Sequence, residues 1–98
     1  MLLVREIMHC RPGKVRPMVE KFLAMSKLMN EKGLGSVRVL TDVAAERYWT
    51  AVAEFEVENL AEFEAMMADT AMEEFQPIME GYHDLVEDGR REIYTIER

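Results

Sequence analysis

The chain has 98 residues, of which 49% are hydrophobic and 32% charged, and its formal net charge is −7. This length allows a single domain, residues 1–98, because chains divide into several domains only well beyond this size. The composition is that of a folded globule, and the negative charge argues against a nucleic-acid partner, since phosphate contacts require clustered Lys and Arg.

The sequence gives no sign of a membrane or export signal. No apolar run approaches the roughly 20 residues of a membrane-spanning helix, and Arg5 and Glu6 come too early for a signal peptide. The lone Cys10 fits a reducing compartment, because it has no partner for an internal disulfide. We therefore expect a cytoplasmic protein without a membrane partner.

The first half of the chain predicts a strand, a helix and a second strand. Leu2 to Cys10 is an apolar run that ends at Arg11-Pro12-Gly13. Alternation along this strand places Glu6 on the face that helices cover. Apolar residues at three- and four-residue steps predict a helix from Lys14 to about Lys32, and a strand follows from Ser36 to about Asp42.

A third strand is predicted from Arg47 to Val57, where the side chains alternate in character. One face is apolar and includes Trp49, Ala51 and Ala53, whereas the other is mixed. This alternation is typical of a strand with helices on one side and a wetter region on the other.

The remaining elements are two short helical segments and a last strand. Asn59-Leu60-Ala61-Glu62 has the form of a capping box and predicts a helix that buries Leu60 among others; Thr70-Ala71-Met72-Glu73 repeats this form. Pro77 is expected to kink or break the second segment. Asp88-Gly89 predicts a turn before a strand from Arg91 to Glu97.

This order predicts an α+β fold, the ferredoxin-like βαββαβ sandwich. Right-handed crossovers place both helices on one face of a four-stranded antiparallel sheet. The other face would carry Leu3, Ile7 and Val52 among polar groups. Since such a face is usually covered by a copy of itself, we expect a homodimer.

Over its whole length the chain resembles the dimeric α/β-barrel superfamily, which includes antibiotic-biosynthesis-type monooxygenases, haem-degrading monooxygenases, muconolactone isomerases and NIPSNAP-like proteins. The resemblance rests on the first strand running into Arg11-Pro12-Gly13-Lys14-Val15, the long helix after it, and the closing Gly89-Arg90-Arg91-Glu92-Ile93-Tyr94. It implies that two sheets pack face to face into a closed barrel, with a ligand pocket between the sheet and the helices of each subunit.

The resemblance does not extend to the site of the haem-degrading members, which combine an Asn on the first strand, a Trp and a helix His. Glu6 stands at or next to the Asn position, Trp49 comes early in the third strand, and His83 follows the second helical region. Because the triad is not matched, we do not expect haem degradation.

Glu6 is the strongest candidate for a catalytic residue. Its neighbours on the helix-covered face are apolar, so an unpaired carboxylate there would have a raised pKa and act as a general acid or base. The alternative is an ion pair with an Arg such as Arg91 on the last strand.

His83 is the second catalytic candidate, because Asp84 follows it and Gly81 could bring it over a pocket mouth; an ordinary loop histidine is the alternative. Tyr82 and Trp49 are candidate ligand-binding residues. Ala51 and Ala53 are as well, since small residues at mid-strand leave volume for a cavity beneath the methionine-rich helices.

No cofactor or metal is expected. His9, Cys10 and His83 do not form a spaced ligand set, and no glycine-rich phosphate-binding motif is present. Three functions stay open: a binding protein for a small hydrophobic or aromatic ligand, a cofactor-independent monooxygenase or isomerase for an aromatic or polyketide-like substrate, and a purely structural dimer.

Charge is distributed unevenly along the chain. Residues 1–49 contain nine Lys and Arg against five Asp and Glu, whereas residues 50–98 contain three against fourteen. The asymmetry indicates either solvated helix faces or a two-fold interface in which the basic half of one protomer lies near the acidic half of its partner.

Overall fold

The computed structural model describes residues 1–70 and 73–97, and of residues 69 and 70 the backbone alone. The strands are β1 (Leu2–Cys10), β2 (Arg38–Thr41), β3 (Thr50–Val57) and β4 (Val86–Thr95). The helices are α1 (Val15–Glu31), α2 (Leu60–Thr70) and α3 (Gln76–Met79), followed by a 3-10 turn at Tyr82–Asp84.

The four strands form one antiparallel sheet in the order β2-β3-β1-β4. This is the predicted ferredoxin-like arrangement, and β1 has the predicted bounds. Because β1 is central, its residues 2–9 have paired neighbours on both sides: Glu6 lies between Ala53 and Arg91, and Met8 lies between Ala51 and Gly89.

The hydrophobic core lies between the helices and one face of the sheet. The apolar stripe predicted for α1 is confirmed, since four of its residues are buried there: Met18, Val19, Phe22 and Met29. They pack in one cluster with alternate residues of β1 and β3: Val4, Ala51, Ala53, Phe55 and Val57. The helix-covered face of β1 is therefore the one that alternation predicted.

β3 begins at Thr50, three residues later than predicted. Asp42 Oδ1 accepts a hydrogen bond from the Thr50 backbone N–H at 2.8 Å and closes the loop that precedes the strand. Trp49 has a φ of 62° in this loop, a left-handed conformation that no strand residue adopts. The prediction that Trp49 belongs to the apolar face of the strand is therefore wrong.

β4 also differs from the prediction, because Asp88-Gly89 lies inside the strand and forms no turn. Gly89 pairs with Met8, and a Cβ atom on Gly89 would lie 2.7 Å from Met8 Sδ. Glycine is used at this position to make room for a cross-strand side chain. Composition alone does not separate this use of glycine from a turn.

The capping box at the start of α2 is confirmed: Asn59 Oδ1 accepts a hydrogen bond from the Glu62 backbone N–H at 2.9 Å. Leu60 was predicted to be buried but is 56% exposed, and Met66 is buried instead. Pro77 occupies the first turn of α3, where it is tolerated, and does not kink a helix. The second capping form, at residues 70–73, includes positions outside the described residues.

The face opposite the helices is less exposed than predicted. Ile7 and Val52 lie on it but are only 5% and 8% exposed. Glu54, on the same face, is buried as well and forms ion pairs with Arg5 and Arg38. The face is thus a row of ion-paired side chains beside shielded apolar ones, and the prediction of a wetter face is wrong for this row.

A helix that crosses a bilayer is long and apolar. Within residues 1–70 and 73–97, none of the helices combines the length and apolar character that crossing a bilayer requires.

Candidate functional site

A cavity of about 270 Å³ lies between the sheet and the helices. Ten of the described residues line it, of which half are methionines and one each carries a carboxylate and a guanidinium: Glu6, Met8, Phe22, Met25, Met29, Phe55, Met67, Met79, Tyr82 and Arg91. Methionine side chains are flexible and polarisable, so they adapt to ligands of different shape. The lining is therefore suited to an apolar molecule.

A second, outer cleft of about 550 Å³ adjoins this cavity. Four residues line both spaces: Glu6, Met8, Tyr82 and Arg91. The outer cleft is mostly polar, and its further lining residues are Arg11, His83, Val86, Glu87, Asp88, Gly89 and Arg90. The four shared residues thus mark the passage between an apolar interior and a charged entrance.

Glu6 and Arg91 form an ion pair in this passage. They are direct neighbours on β1 and β4, and Arg91 Nε donates to Glu6 Oε1. The Glu6 side chain is 16% exposed and that of Arg91 46%. The guanidinium also lies 5.1 Å from the centre of the Phe63 ring, within the range of a cation–π contact. The ion-pair alternative for Glu6 is confirmed, and the premise of an unpaired carboxylate is wrong.

Tyr82 and His83 occupy the 3-10 turn beside the passage. Gly81 precedes them with a φ of 81°, and the two rings lie 4.0 Å apart. Lys21 on α1 holds the preceding segment in place, since its Nζ donates to the carbonyl oxygens of Ile78 and Glu80 at 3.2 and 2.6 Å. Glu6, Tyr82 and His83 all line the outer cleft, so the two catalytic candidates share one space.

The other predicted site residues lie elsewhere. Ala51 and Ala53 are fully buried in the core next to Met8 and Glu6, but neither is part of the cavity lining. Trp49 is 45% exposed and lines a separate surface cleft with Tyr48, near the start of α1. The structure therefore does not bring Trp49 together with Glu6.

Two ionisable residues are buried at the end of β1. His9 Nδ1 lies 3.5 Å from Thr50 Oγ1, and its Nε2 lies 4.0 Å from Asp88, so it belongs to a polar network on the face away from the helices. Cys10 is 3% exposed, and burial raises the pKa of its thiol. Neither residue lines the cavity, and in the described part of the chain no three His, Cys, Asp or Glu side chains form a cluster suited to a metal ion.

Sequence reasoning missed two cationic features of the site. The sequence indicates Arg91 only as a counter-ion and Arg11 only as a strand-ending residue, whereas Arg91 lines both spaces and Arg11 lines the outer cleft. Strand register places Arg91 at the passage, and register is not visible in composition. Arg11 was detectable as a charge placed directly after the strand that carries Glu6.

These observations define a ferredoxin-like α+β protein with a methionine-lined cavity between sheet and helices. Several solved structures share the fold. An uncharacterized NIPSNAP-like domain protein from Burkholderia xenovorans matches with a TM-score of 0.81 and 17% identity, over 98% of this chain and 84% of that chain. A NIPSNAP family protein from Agrobacterium tumefaciens matches with a TM-score of 0.79 and 14% identity, over 99% and 94% of the two chains.

An antibiotic biosynthesis monooxygenase matches with a TM-score of 0.73 and 14% identity, over 100% of both chains. No protein-family model and no curated protein matches the sequence. The resemblance stated from the sequence is thus confirmed at the level of the fold.

Proposed function

We propose that this protein is a homodimer that binds a small hydrophobic or aromatic molecule between its sheet and helices. The observation that carries the proposal is the cavity of about 270 Å³, lined mainly by methionine and phenylalanine. An engineered apolar cavity of about 150 Å³ binds benzene, so a space of this size has room for a two-ring molecule or an alkyl chain.

The methionines provide a direct test by NMR of 13C-methyl-labelled protein. Addition of 1-naphthol or 1-decanol should shift the methyl signals of the lining methionines: Met8, Met25, Met29, Met67 and Met79. Met1, Met18 and Met66 do not line the cavity and are internal controls. Unchanged spectra up to the solubility limit of both probes, or equal shifts in lining and control methionines, would contradict the proposal.

A second candidate function is a cofactor-independent monooxygenase or isomerase acting on an aromatic or polyketide-like substrate. It is supported by the position of Glu6 and His83 in one cleft, and by the shared fold of an antibiotic biosynthesis monooxygenase. In either reaction, one of these residues would take a proton from an acidic C–H bond of the substrate and leave an enolate. The ion pair with Arg91 would have to open first.

Proton removal can be tested without knowledge of the natural substrate. The aromatic ketone 2-tetralone exchanges its α-hydrogens for deuterium in D2O when a base removes them. Acceleration by the protein that is lost in both Glu6→Gln and His83→Asn would support the enzyme. Exchange at the buffer rate with the parent protein would favour a non-catalytic binding protein.

A purely structural dimer is the third candidate. It would leave the cavity filled by its own methionine side chains, so the methyl spectra would not respond to any apolar probe. The NMR titration therefore separates this candidate from both others.

A further inference from the structure

We propose that the ligand of the cavity is an organic anion, whose apolar body occupies the cavity and whose charged group lies in the outer cleft. This inference rests on the proposed binding function and specifies the chemical class of the ligand. It is carried by the balance of paired and unpaired charges around the cleft.

The three carboxylates that the described residues contribute to the cleft all have cationic partners. Arg91 pairs with Glu6, and Arg47 pairs with both Glu87, at 3.3 Å, and Asp88, at 3.0 Å. A cationic ligand would have to displace a guanidinium from one of these pairs. The acidic residues of the cleft therefore do not favour a ligand cation.

The cationic residues of the cleft differ in their pairing. Arg90 contacts Glu92 at 3.0 Å and Glu46 at 4.0 Å. Arg11 is exposed and has no ion-pair partner among the side chains described for residues 1–68 and 73–97. The uncommitted charge at the entrance is consequently positive.

Arg91 offers further donors at the passage itself. A guanidinium has five N–H groups; here Nε is bound to Glu6, and Nη2 lies 3.7 Å from the weak acceptor Met67 Sδ. A ligand carboxylate in the cleft would thus meet Arg11, the outer donors of Arg91 and a ring N–H of His83. The apolar part of the same molecule would enter the cavity past Met8 and Tyr82, which line both spaces.

The net charge of −7 opposes the binding of any anion. This opposition is a long-range effect, and charges more than about 8 Å apart are largely screened at physiological ionic strength. Contacts at Arg11 and Arg91 act at shorter range, so the charges within the cleft decide which sign of ligand charge is favoured.

The test compares four probes by isothermal titration of the full chain, each below its micelle concentration: decanoate, 2-naphthoate, 1-decanol and decyltrimethylammonium. Decanoate should bind at least about fivefold more tightly than the cation of the same chain length, as expected for one or two exposed ion pairs. Comparison with 2-naphthoate distinguishes an alkyl from an aromatic body. In the fatty-acid series, each added methylene should tighten binding about fourfold until the cavity is full.

Arg11→Gln should weaken decanoate binding about two- to fivefold and leave 1-decanol binding unchanged. Arg16→Gln is the matched control, because Arg16 is exposed, has the same charge and lies in the separate cleft with Trp49. Equal effects of the two variants on decanoate would overturn the assignment of Arg11.

Glu6→Gln gives a second, opposite prediction. Removal of the carboxylate frees Arg91, so decanoate should bind more tightly than it does to the parent. Weaker decanoate binding in this variant would overturn the proposal. If none of the four probes binds, the proposed binding function fails; if 1-decanol or the cation binds as well as decanoate, the binding function stands and the anion assignment fails.

Discussion

Glu6 lies among apolar neighbours at 16% side-chain exposure, and its counter-ion comes from the adjacent strand. An unpaired acid at this position would destabilise the fold, whereas the ion pair with Arg91 compensates part of the desolvation cost. Because Arg91 is 46% exposed, water screens the pair. The contribution of the pair to stability should therefore be below that of a fully buried one.

A double-mutant cycle with Glu6→Gln and Arg91→Gln measures this contribution. We expect a coupling free energy of about 1 kcal/mol in urea unfolding, the upper end of the range for exposed pairs. The cycle of Glu6→Gln with Arg16→Gln should show no coupling and is the control. A coupling near zero for the first cycle would mean that the ion pair makes no net contribution to stability.

Burial at the end of β1 raises the pKa of the Cys10 thiol. The folded state then keeps its thiol proton at a pH where the unfolded chain, with a thiol pKa of about 8.5, has released it. Any stability due to this group is intact below about pH 8.5 and falls as the pH rises above that value.

Unfolding of the parent and of Cys10→Ala at pH 7.5 and 9.5 measures this effect. The parent should lose more stability than the variant between the two pH values. Iodoacetamide should also modify Cys10 much faster in urea than in the folded protein. Equal loss of stability in parent and variant would contradict the prediction.

Among the elements, β4 shows where sequence patterns are ambiguous. Asp88-Gly89 is a common turn dipeptide, yet here it continues a strand, because Gly89 accommodates the side chain of Met8. The start of β3 shows the same limit. The alternating pattern of the strand extends to Trp49, but the Thr50 backbone N–H donates to Asp42 and closes a loop there. Both errors arise where a contact with a residue outside the strand overrides the preference of the strand's own sequence.

Gly89→Ala tests this account of β4. The new methyl group would lie 2.7 Å from Met8 Sδ and 3.2 Å from the carbonyl oxygen of Ile7, so the variant should be about 1–3 kcal/mol less stable. Met8→Val removes the first contact. In urea unfolding, the double variant should therefore lose less stability than the two single variants do in sum. Strictly additive losses would show that the side chain of Met8 is not what the new methyl group clashes with.

At the scale of the molecule, fold and site differ in how far the sequence determines them. The order of elements, the apolar stripe of α1 and the alternation of β1 were enough to predict the sheet, because each follows from local periodicity. The passage depends on which residues of β1 and β4 are neighbours. Glu6 and Arg91 are 85 positions apart, and only the register of the folded sheet brings them together.

The uneven charge distribution also acquires a structural explanation. Among the described residues, cations of the first half pair with acids of the second half within one chain, as in Lys32–Glu74, Arg38–Glu54 and Arg47–Asp88. These pairs leave less charge for a partner subunit. We therefore expect the dissociation constant of a dimer to change less than about threefold between 0.1 and 0.5 M salt, measured by sedimentation equilibrium. A steep weakening would place the two halves across the two-fold axis.

The proposed homodimer would be closed through the sheet faces that carry no helices. On this face Tyr94 is 49% exposed and pairs with Leu3 of the central strand, and Leu40 is 39% exposed in the row of Val52 and Ile7. Light scattering at micromolar concentration should give twice the mass of one chain.

Leu40→Glu places a charge in the interface and should shift the protein towards monomer. Val43→Glu adds the same charge at a fully exposed loop position and should leave the dimer intact. A parent protein that is monomeric at this concentration, or equal behaviour of the two variants, would contradict closure through these faces.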